Sequence, residues 1–350
     1  MIDPIPLMEK LARDHRLELH EYEALLGNRT PESKEYLRRL AEETRIAVYG
    51  RDVYIRGLIE TTNICKNDCY YCGIRRSNAG CSRYRLTRSD ILEAAGEGYT
   101  LGFRTFVLQG GEDGWFTDER TTALIRELKR RHPDCAVTLS LGERSYESYR
   151  ALREAGADRY LLRHETADEE HYAKLHPAEL TLQNRMECLR NLKELGYQVG
   201  CGFMVGSPYQ EVRHLAKDLK YIEEFSPAMC GIGPFITHKA TPFAAFPSGS
   251  FEDTIYLLSI LRLIKPTLLL PATTALGTIH PKGREMGILA GANVVMPNLS
   301  PLSVRKKYEL YEGKIATGEE SAQSVRLLAE RMESIGYKVV TARGDAKQSI

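Results

Sequence analysis

Short runs rich in β-branched and aromatic residues alternate along the chain with longer amphipathic stretches, and this alternation begins at about Val53. Strand-like runs separated by helical segments indicate parallel strands joined by helical crossovers. Eight such runs favour a closed barrel over an open sheet, so the sequence predicts an α/β fold of the (β/α)8 type, the TIM barrel. The strands are expected near residues 53–60, 104–109, 135–141, 158–165, 198–205, 229–235, 267–272 and 292–296.

The region before the first predicted strand has a different pattern. From about Leu7 to Ile46, apolar residues recur three and four positions apart without a glycine run, which indicates amphipathic helices. Further along, Gly102, Gly156 and Gly196 each precede a predicted strand, where glycine favours the end of a helix. We therefore expect an N-terminal helical extension acting as a cap over 1–50, the barrel over 51–343 and a flexible tail over 344–350.

Two predicted strands indicate that the middle of the barrel is hollow. Successive side chains of a strand point to opposite faces, so each run divides into a helix-facing and a lumen-facing set. In 199–205 the lumen-facing set is Gly200, Gly202 and Met204, and in 136–141 it contains Thr138 and Ser140. Barrels of this type normally fill the lumen with branched apolar side chains. Small and polar residues at these positions predict an internal cavity.

The fourth predicted strand places two arginines, Arg159 and Arg163, on one face together with Glu165. Burying guanidinium groups without partners costs on the order of several kcal/mol, so both must meet anions or water. One interpretation pairs them with carboxylates such as Glu60 of the first strand. The other uses their planar, bidentate donors to hold an anionic substrate in the cavity.

Composition and charge narrow the class of function. The chain has 350 residues and a formal net charge of +1, so nothing indicates binding to nucleic acid or another polyanion. No apolar stretch approaches the length of a membrane span, and the N-terminus lacks the pattern of a signal peptide. The eight cysteines are scattered rather than arranged as a disulfide framework. We expect a cytoplasmic protein in a reducing compartment, without a membrane partner.

Three cysteines lie close together after the first predicted strand, in the segment Cys65-Lys-Asn-Asp-Cys69-Tyr-Tyr-Cys72. Electron carriers normally bind all four irons of a 4Fe-4S cluster through protein thiolates, so three ligands leave one iron open for chemistry. Zinc is the alternative, but it prefers four closed ligands, and only Cys81 lies nearby. The C-x3-C-x2-C spacing, with an aromatic residue before the last cysteine, resembles the signature of the radical S-adenosylmethionine (SAM) superfamily.

Further motifs extend this resemblance over most of the chain, from about Val53 to Lys314. They are Gln109-Gly-Gly-Glu-Asp113, Leu139-Ser-Leu-Gly142, Arg159-Tyr-Leu-Leu-Arg-His-Glu-Thr166, Gly231-Ile-Gly-Pro-Phe235 and Pro271-Ala-Thr-Thr-Ala275. Together they resemble the HydE family of FeFe-hydrogenase maturases, radical SAM enzymes of the same class as biotin synthase. The resemblance implies a 4Fe-4S cluster on Cys65, Cys69 and Cys72, with SAM bound to its open iron.

The resemblance also implies roles for residues outside the cysteine loop. In the family, the stretch matching 110–112 receives the SAM amino group, the residue matching Glu165 accepts the ribose hydroxyls, and the residue matching Arg185 pairs with the methionine carboxylate. The full set of implied SAM contacts is Gly110, Gly111, Glu112, Ser140, Glu165, Arg185, Met296, Tyr308 and Tyr311. The implied catalytic positions, which line the substrate and anion cavity, are Arg159, Arg163, Thr138, Thr273 and Thr274.

One departure from the family is clear. Some members carry a C-terminal cysteine motif for an accessory cluster, but no cysteine follows Cys230, which rules out that second cluster. The cysteines outside the loop are expected to be small buried hydrophobes, and this weakens any role as a sulfur donor. They are Cys81, Cys135, Cys188, Cys201 and Cys230.

By resemblance, the enzyme takes one electron from an external reductant and cleaves SAM reductively to a 5'-deoxyadenosyl radical. Its implied substrate is a cysteine-bound Fe(CO)2CN precursor, used to assemble the di-iron subsite of the FeFe-hydrogenase H-cluster together with the maturases HydG and HydF. Two alternatives remain open. One is a radical SAM amino-acid mutase similar to methylornithine synthase, which shares the stretch Arg83-Tyr-Arg-Leu-Thr87. The other is a non-catalytic iron-sulfur scaffold, which would need a fourth ligand such as Cys81.

Overall fold

A computed structural model describes residues 3–315 and 324–347, and three helices open the chain. They are α1 (Ile5–Asp14), α2 (Leu19–Gly27) and α3 (Pro31–Tyr49). The side chain of Thr30 caps α3 by accepting a hydrogen bond from the Ser33 backbone N–H at 3.2 Å, and Pro31 suits the first helical position. The helices expected over 1–50 are therefore present, and they pack on the outer helices of the main domain.

The predicted strands are present in shortened or divided form. The run 53–60 is divided at Arg56, the run 158–165 keeps three strand residues, and the run 267–272 pairs only through single bridges. The described strands are β1 (Asp52–Ile55), β2 (Gly57–Thr62), β3 (Thr105–Gly110), β4 (Ala136–Ser140), β5 (Arg159–Leu161), β6 (Gln198–Cys201), β7 (Met204–Val205), β8 (Met229–Cys230), β9 (Gly233–Pro234), β10 (Val294–Val295) and β11 (Lys338–Val340).

Helices separate most of these strands and begin and end at the expected signals. Thr87, Thr117 and Ser145 each cap a following helix through a side-chain oxygen. Gly102 and Gly156 have positive φ where the chain leaves a helix, as predicted for glycine at these ends. The helices are α4 (Arg88–Thr100), α5 (Asp118–Arg131), α6 (Tyr146–Glu154), α7 (Glu169–Leu175), α8 (Leu182–Glu194), α9 (Val212–Phe225), α10 (Phe251–Ile264), α11 (Thr274–Ile279), α12 (Gly283–Leu289), α13 (Leu302–Arg305) and α14 (Val325–Ser334).

Parallel pairing closes the barrel. The main sheet has the order β2-β3-β4-β5-β6-β8, and every pair in it is parallel. Bridges from Met229 to Leu269 and from Pro271 to Val294 continue the ring, and β10 then pairs with β1. Because β1 runs directly into β2, the pairing of β10 with β1 joins the last strand of the ring to the first. The (β/α)8 fold predicted from the sequence is confirmed.

The C-terminal segment seals the end of the barrel where the strands begin, and as far as residue 347 it differs from the flexible tail expected over 344–350. β11 pairs with β1 in parallel, with Val53 beside Val339. Beyond it, the Asp345 carboxylate accepts a hydrogen bond from Arg159, and the Lys347 ammonium donates to the Val48 carbonyl. Residues 344–347 are thus held by contacts, and residues 348–350 lie outside the described part of the chain.

The opposite end of the barrel, where the strands finish, contains a cavity of about 350 Å³. We call it the central cavity, and Gly110, Ser140, Arg163, Thr273 and Met296 lie in its wall. Of the residues expected to face the lumen, Ser140 and Met204 line this cavity, whereas Gly200, Gly202 and Thr138 do not. The space beside Gly200 is filled by Leu161 and Met229, and the space beside Gly202 by the Gly231 backbone. No helix within residues 3–315 and 324–347 is long and apolar enough to cross a membrane.

Candidate active site

The three clustered cysteines lie on a long loop, residues 63–87, which follows β2 and which we call the cluster loop. Arg83 fixes its shape by donating hydrogen bonds to the carbonyls of Asn63 and Ile74, at 2.6 and 2.7 Å. Asp68 and Arg75 add a bidentate ion pair at 2.8 and 2.6 Å. A loop without regular structure is therefore held rigid by side chains, which a metal site needs in order to present its ligands in a fixed arrangement.

Cys65, Cys69 and Cys72 all line the central cavity. Burial raises the pKa of Cys69 to about 12, while the Arg185 guanidinium opposes this rise and the neighbouring Cys65 adds to it. Burial likewise raises the pKa of Cys72, with both other thiols contributing. All three thiols lie in the wall of one cavity, so a bound cation there would stabilise their thiolates.

No three His, Cys, Asp or Glu side chains of the described residues converge tightly enough to hold a single metal ion. A zinc ion with Zn–S bonds of about 2.3 Å would bring its sulfur ligands within about 3.8 Å of one another. In a 4Fe-4S cluster each thiolate binds a different iron, so the ligands stand further apart. Three thiolates on one loop suit such a cluster, whereas the zinc alternative would need a fourth ligand.

The stretch 110–112, at the end of β3, packs directly on the cluster loop. A Cβ atom on Gly111 would lie 2.3 Å from the Ile64 carbonyl oxygen and 2.8 Å from the Cys65 Cβ, so only glycine fits. The Glu112 N–H donates to the Cys65 sulfur at 3.4 Å. The Glu112 carboxylate accepts the Glu143 N–H at 3.0 Å. The turn therefore presents backbone and carboxylate groups beside a predicted iron ligand.

Glu165 lies at the rim of the central cavity in an unusual backbone conformation. Its φ is +66°, in the left-handed region that residues other than glycine rarely adopt. Its N–H donates to the Gly202 carbonyl at 3.0 Å, and its carbonyl accepts the Met204 N–H at 3.3 Å. These bonds hold the turn, and the carboxylate oxygen Oε2 lies 3.1 Å from the Arg163 Nη2.

A buried pair behind this turn also fixes it. The Gly202 N–H donates to Nδ1 of His164 at 3.3 Å, so the other ring nitrogen, Nε2, carries the proton and donates to Asp218 at 3.2 Å. Burial lowers the pKa of His164 to about 3, which keeps the ring neutral at pH 7. The same Asp218 oxygen accepts the Ala167 N–H at 2.6 Å. Asp218 thus ties both sides of Glu165 to α9.

Arg185 completes the rim from α8. Its Nε donates to the Glu143 carboxylate and its Nη1 to the Arg163 carbonyl, both at 2.5 Å. The guanidinium is fixed by these two bonds and still borders the central cavity. The Arg185 guanidinium is therefore in position to pair with a ligand carboxylate, which is the role that the family resemblance implies.

Several polar atoms around the lumen are buried and lack a hydrogen-bond partner among the described residues. They are Nε and Nη2 of Arg163, Oε2 of Glu165, Oγ1 of Thr138 and Oγ1 of Thr273. Arg163 Nη2 and Glu165 Oε2 face each other as the ion pair described above, and Thr138 lies outside the central cavity. Native proteins satisfy nearly all buried polar groups, because each unsatisfied group costs about 1–3 kcal/mol. Arg163 Nε and Thr273 Oγ1, both on residues of the cavity wall, are therefore available to a polar ligand.

Most of the residues singled out from the sequence meet at the central cavity. Two of them, Thr138 and Arg159, do not line it. The residues that do are Cys65, Cys69, Cys72, Gly110, Gly111, Glu112, Ser140, Arg163, Glu165, Arg185, Thr273, Thr274, Met296, Tyr308 and Tyr311.

Arg159 lies at the opposite end of the barrel, so its expected contact with substrate is corrected here. Its guanidinium donates to Thr105 at 2.9 Å, to Gln198 at 3.2 Å and to the Arg343 carbonyl at 3.0 Å. An ion pair with Asp345 at 2.5 Å completes the set. Arg159 is therefore paired with a carboxylate, as in the first of the two interpretations of these arginines. The carboxylate is that of Asp345 and not that of Glu60.

The wall of the central cavity also holds an ion pair between Lys314 and Glu60, which the sequence did not reveal. The Lys314 ammonium pairs with the Glu60 carboxylate and donates to the Tyr308 carbonyl at 2.9 Å. Asn298 donates to the other Glu60 oxygen at 3.0 Å. Neither Lys314 nor Asn298 belongs to a motif with recognisable spacing, so no signal in the sequence could have brought them to Glu60.

Comparisons with known proteins identify the family. Residues 59–222 match the sequence profile of the Radical SAM superfamily. The chain is 44% identical over 304 residues to the FeFe-hydrogenase maturase subunit HydE of Thermotoga maritima, covering 87% of this chain and 86% of the relative. It is 28% identical over 332 residues to 3-methylornithine synthase of Methanosarcina acetivorans, covering 94% and 92% of the two chains.

Solved structures give the same fold. Methylornithine synthase (PylB) superposes with a TM-score of 0.81 at 26% identity, covering 95% of this chain and 97% of that one. The maturase HydG superposes with a TM-score of 0.79 at 20% identity, covering 95% and 75%, and supports the fold alone. The radical SAM family implies a 4Fe-4S cluster and SAM. On its identity and coverage with HydE, the chain is a radical SAM enzyme that belongs to the HydE family of FeFe-hydrogenase maturases.

Proposed function

We propose that this protein acts in assembly of the di-iron subsite of the FeFe-hydrogenase H-cluster, on a cysteine-bound Fe(CO)2CN precursor. Cys65, Cys69 and Cys72 would hold the 4Fe-4S cluster, with SAM beside the 110–112 turn. The high identity to a named HydE supports the role in maturation. Its expected partners are an external one-electron reductant and the other maturases, HydG and HydF.

The observation that carries this proposal is the set of unpartnered polar atoms in the lumen. Among the described residues, Arg163 keeps Nε free of hydrogen bonds while its Nη2 pairs with Glu165, and Thr273 keeps Oγ1 free. A cyanide- and carboxylate-bearing substrate would accept from both, because a guanidinium and a hydroxyl are both good donors to anions. A purely apolar substrate would leave these groups unsatisfied at a cost of about 1–3 kcal/mol each.

When bound, the cluster and SAM supply a 5'-deoxyadenosyl radical by reductive cleavage, and the protein supplies placement and enclosure. Glu165, with its carboxylate at the rim, suits ribose hydroxyls as donors, and Arg185 suits the methionine carboxylate. Tyr308 closes the SAM end and is buried, with its hydroxyl accepting from Gln109 at 3.3 Å. These groups orient the cosubstrate and exclude water from a reactive radical.

Two measurements test the proposal. Anaerobically reconstituted protein with dithionite and SAM should release 5'-deoxyadenosine, and apo-hydrogenase supplied with HydG and HydF should become active only when this protein is added. A Cys69→Ala variant is the matched control, because it should lose the cluster and both activities. Absence of 5'-deoxyadenosine above that control would instead favour the non-catalytic scaffold. Maturation that proceeds equally well without the protein would reject the role in H-cluster assembly.

An amino-acid mutase is the second candidate, because methylornithine synthase covers nearly the whole chain and superposes well. An amino-acid carboxylate could also pair with Arg163. Mass spectrometry of free basic amino acids incubated with the reduced enzyme and SAM distinguishes the two. A rearranged amino acid would favour the mutase, while SAM cleavage that responds only to the organometallic precursor would favour the maturase.

A further inference from the structure

A second cavity opens on the outside of the barrel beside the cluster loop. Its volume is about 250 Å³, and its wall is apolar apart from two arginines. We call it the Trp115 pocket, and it is lined by Arg88, Ile91, Trp115, Phe116, Arg120, Ala123 and Leu124. The residues implied for SAM and substrate play no part in it. Its position between α4 and α5 leaves it open to a partner on the protein surface.

The charge of this pocket is positive. Arg88 and Arg120 are exposed, and neither forms an ion pair with a carboxylate of the described residues. Arg88 stands at the first position of α4, where the helix dipole disfavours a cation, so it does not serve the stability of that helix. Nearby, Asp118 already pairs with Arg144 at 3.0 Å, whereas Glu119 is an exposed carboxylate that partly offsets the arginines.

Trp115 makes the pocket a preformed anchor site. The Arg120 guanidinium carbon lies 4.6 Å from the centre of its ring and the Arg85 carbon 5.4 Å from it, and Phe116 meets it edge-on at 5.0 Å. Aromatic and arginine residues around a small apolar depression are typical of the centre of a protein–protein interface. A partner side chain can enter the depression while partner carboxylates meet the arginines.

The pocket lies next to a predicted iron ligand. The Glu112 N–H donates to the Cys65 sulfur, and three residues later the Trp115 N–H donates to Asp113 at 3.0 Å. Three residues of chain span at most about 11 Å, so the pocket is within about that distance of the 110–112 turn. Asp113 is itself held by the Thr62 hydroxyl at 2.9 Å at the end of β2.

We propose that the Trp115 pocket, with Arg88 and Arg120 at its rim, is the docking site for a small acidic one-electron carrier protein of the ferredoxin type. Opposite charges steer such a carrier to the pocket and hold it near Cys65. The reduced carrier would give up one electron and be oxidised. The cluster that Cys65, Cys69 and Cys72 would hold would take up this electron for reductive cleavage of one carbon–sulfur bond of SAM. The inference rests on the proposed radical SAM function, because only that function needs an electron from outside.

Charge reversal at Arg88 tests the docking site without altering the central cavity. In Arg88→Glu, the concentration of reduced ferredoxin that gives half-maximal SAM cleavage should rise about tenfold at low salt, whereas cleavage driven by dithionite should be unchanged. Arg126→Glu is the matched control, because Arg126 is an exposed arginine of α5 outside the pocket and the charge change is identical. It should behave as wild type with both reductants.

Direct binding gives a readout independent of catalysis. Oxidised ferredoxin immobilised for biolayer interferometry should bind the reconstituted holoenzyme, and Arg88→Glu should weaken that binding about tenfold while Arg126→Glu does not. Equal binding and equal ferredoxin-driven rates for the two variants would overturn the docking site. A rate lost equally with dithionite would also overturn it, since the variant would then have disturbed the active site. Arg88-dependent binding without any SAM cleavage would keep the docking site and reject the proposed function.

Discussion

Replacement of Asp345 by alanine tests whether the C-terminal segment is a structural part of the barrel. Asp345 pairs with Arg159 at 2.5 Å and with Arg343 at 2.8 Å. The Arg159 side chain is fully buried, so it cannot turn to solvent when the carboxylate is lost. The variant should therefore unfold more easily, because it leaves a buried guanidinium with one fewer acceptor and without its counter-charge.

The size of the effect follows from burial. Removing one partner of a fully buried ion pair costs about 3–5 kcal/mol, whereas an exposed pair is worth about 0–1 kcal/mol. The Asp345 side chain is 39% exposed, and Arg159 keeps Thr105, Gln198 and the Arg343 carbonyl as acceptors. We expect a loss between these limits, about 2 kcal/mol in the free energy of unfolding. With about 0.7 kcal/mol/K of unfolding entropy for 350 residues, the Tm should fall by about 3 °C.

Urea denaturation of the apoprotein, followed by far-UV circular dichroism, measures this loss. Asp345→Asn is the matched control, since it keeps an acceptor oxygen and should lose about half as much. Arg159→Met with Asp345→Ala closes a double-mutant cycle, and its coupling energy should be about 2 kcal/mol.

The effect should also depend on pH. Burial by itself raises the pKa of Asp345, but the hydrogen bond from Arg343 and the charge of Arg159 outweigh it and hold the pKa below its usual range. A carboxyl group with a lowered pKa stabilises the fold above its unfolded pKa of about 3.9, and this contribution is lost as the pH falls through the folded value. The difference between wild type and Asp345→Ala should be constant above about pH 5 and shrink below about pH 4.

Asp345→Ala that unfolds within about 0.5 kcal/mol of wild type at pH 7 would refute this account. So would a stability difference that is the same at pH 3 and pH 7. Either result would mean that Arg159 finds another partner and that the segment after β11 does not hold the barrel together.

Three further predictions concern the site. Arg163→Leu should leave the iron content of the reconstituted protein unchanged and lower hydrogenase maturation at least tenfold, because it removes the free Nε donor and the charge of the guanidinium; full maturation would show that no substrate contacts this side chain. Gly111→Ala should lower iron content, since its Cβ would strike the cluster loop, whereas Gly114→Ala, with open space around it, should not; iron analysis of the pair checks this. Asp218→Ala should raise the KM for SAM at least fivefold with kcat less affected, and Asp218→Asn should largely restore it; a kcat loss alone would point to damage elsewhere.

The overall fold could be predicted because its signals are local. Period-two runs and glycines at helix ends mark each strand and helix without knowledge of the partner strands. The division of the first strand at Arg56 could not be predicted in this way, because it depends on β1 and β2 having different neighbours. β11 was missed although Tyr337-Lys-Val-Val-Thr341 is also rich in β-branched and aromatic residues, because its place beside β1 does not follow from a barrel of eight strands.

The site was predictable where spacing along the chain dictates geometry, as in the cysteine triplet and the Gly110-Gly111 turn. Arg159 shows the limit of this approach. Alternation predicts Arg159 and Arg163 on one face, but β5 ends at Leu161, and four residues of extended chain cover about 13 Å. That distance separates the central cavity from the end of the barrel where the strands begin. Which of the two arginines meets a ligand depends on the C-terminal segment, whose place no local pattern reveals.

The pairing of β1 with β11 also bears on how the chain is made. Synthesis by the ribosome produces β1 early, whereas β11, which covers one of its edges, emerges only after nearly all of the remaining barrel. During that interval β1 offers an uncovered edge, which another nascent chain can extend into an aggregate. Slower growth or added chaperones during production should therefore raise the yield of soluble protein. A charged substitution at the exposed edge of β1 should make the yield depend less on growth rate and chaperones.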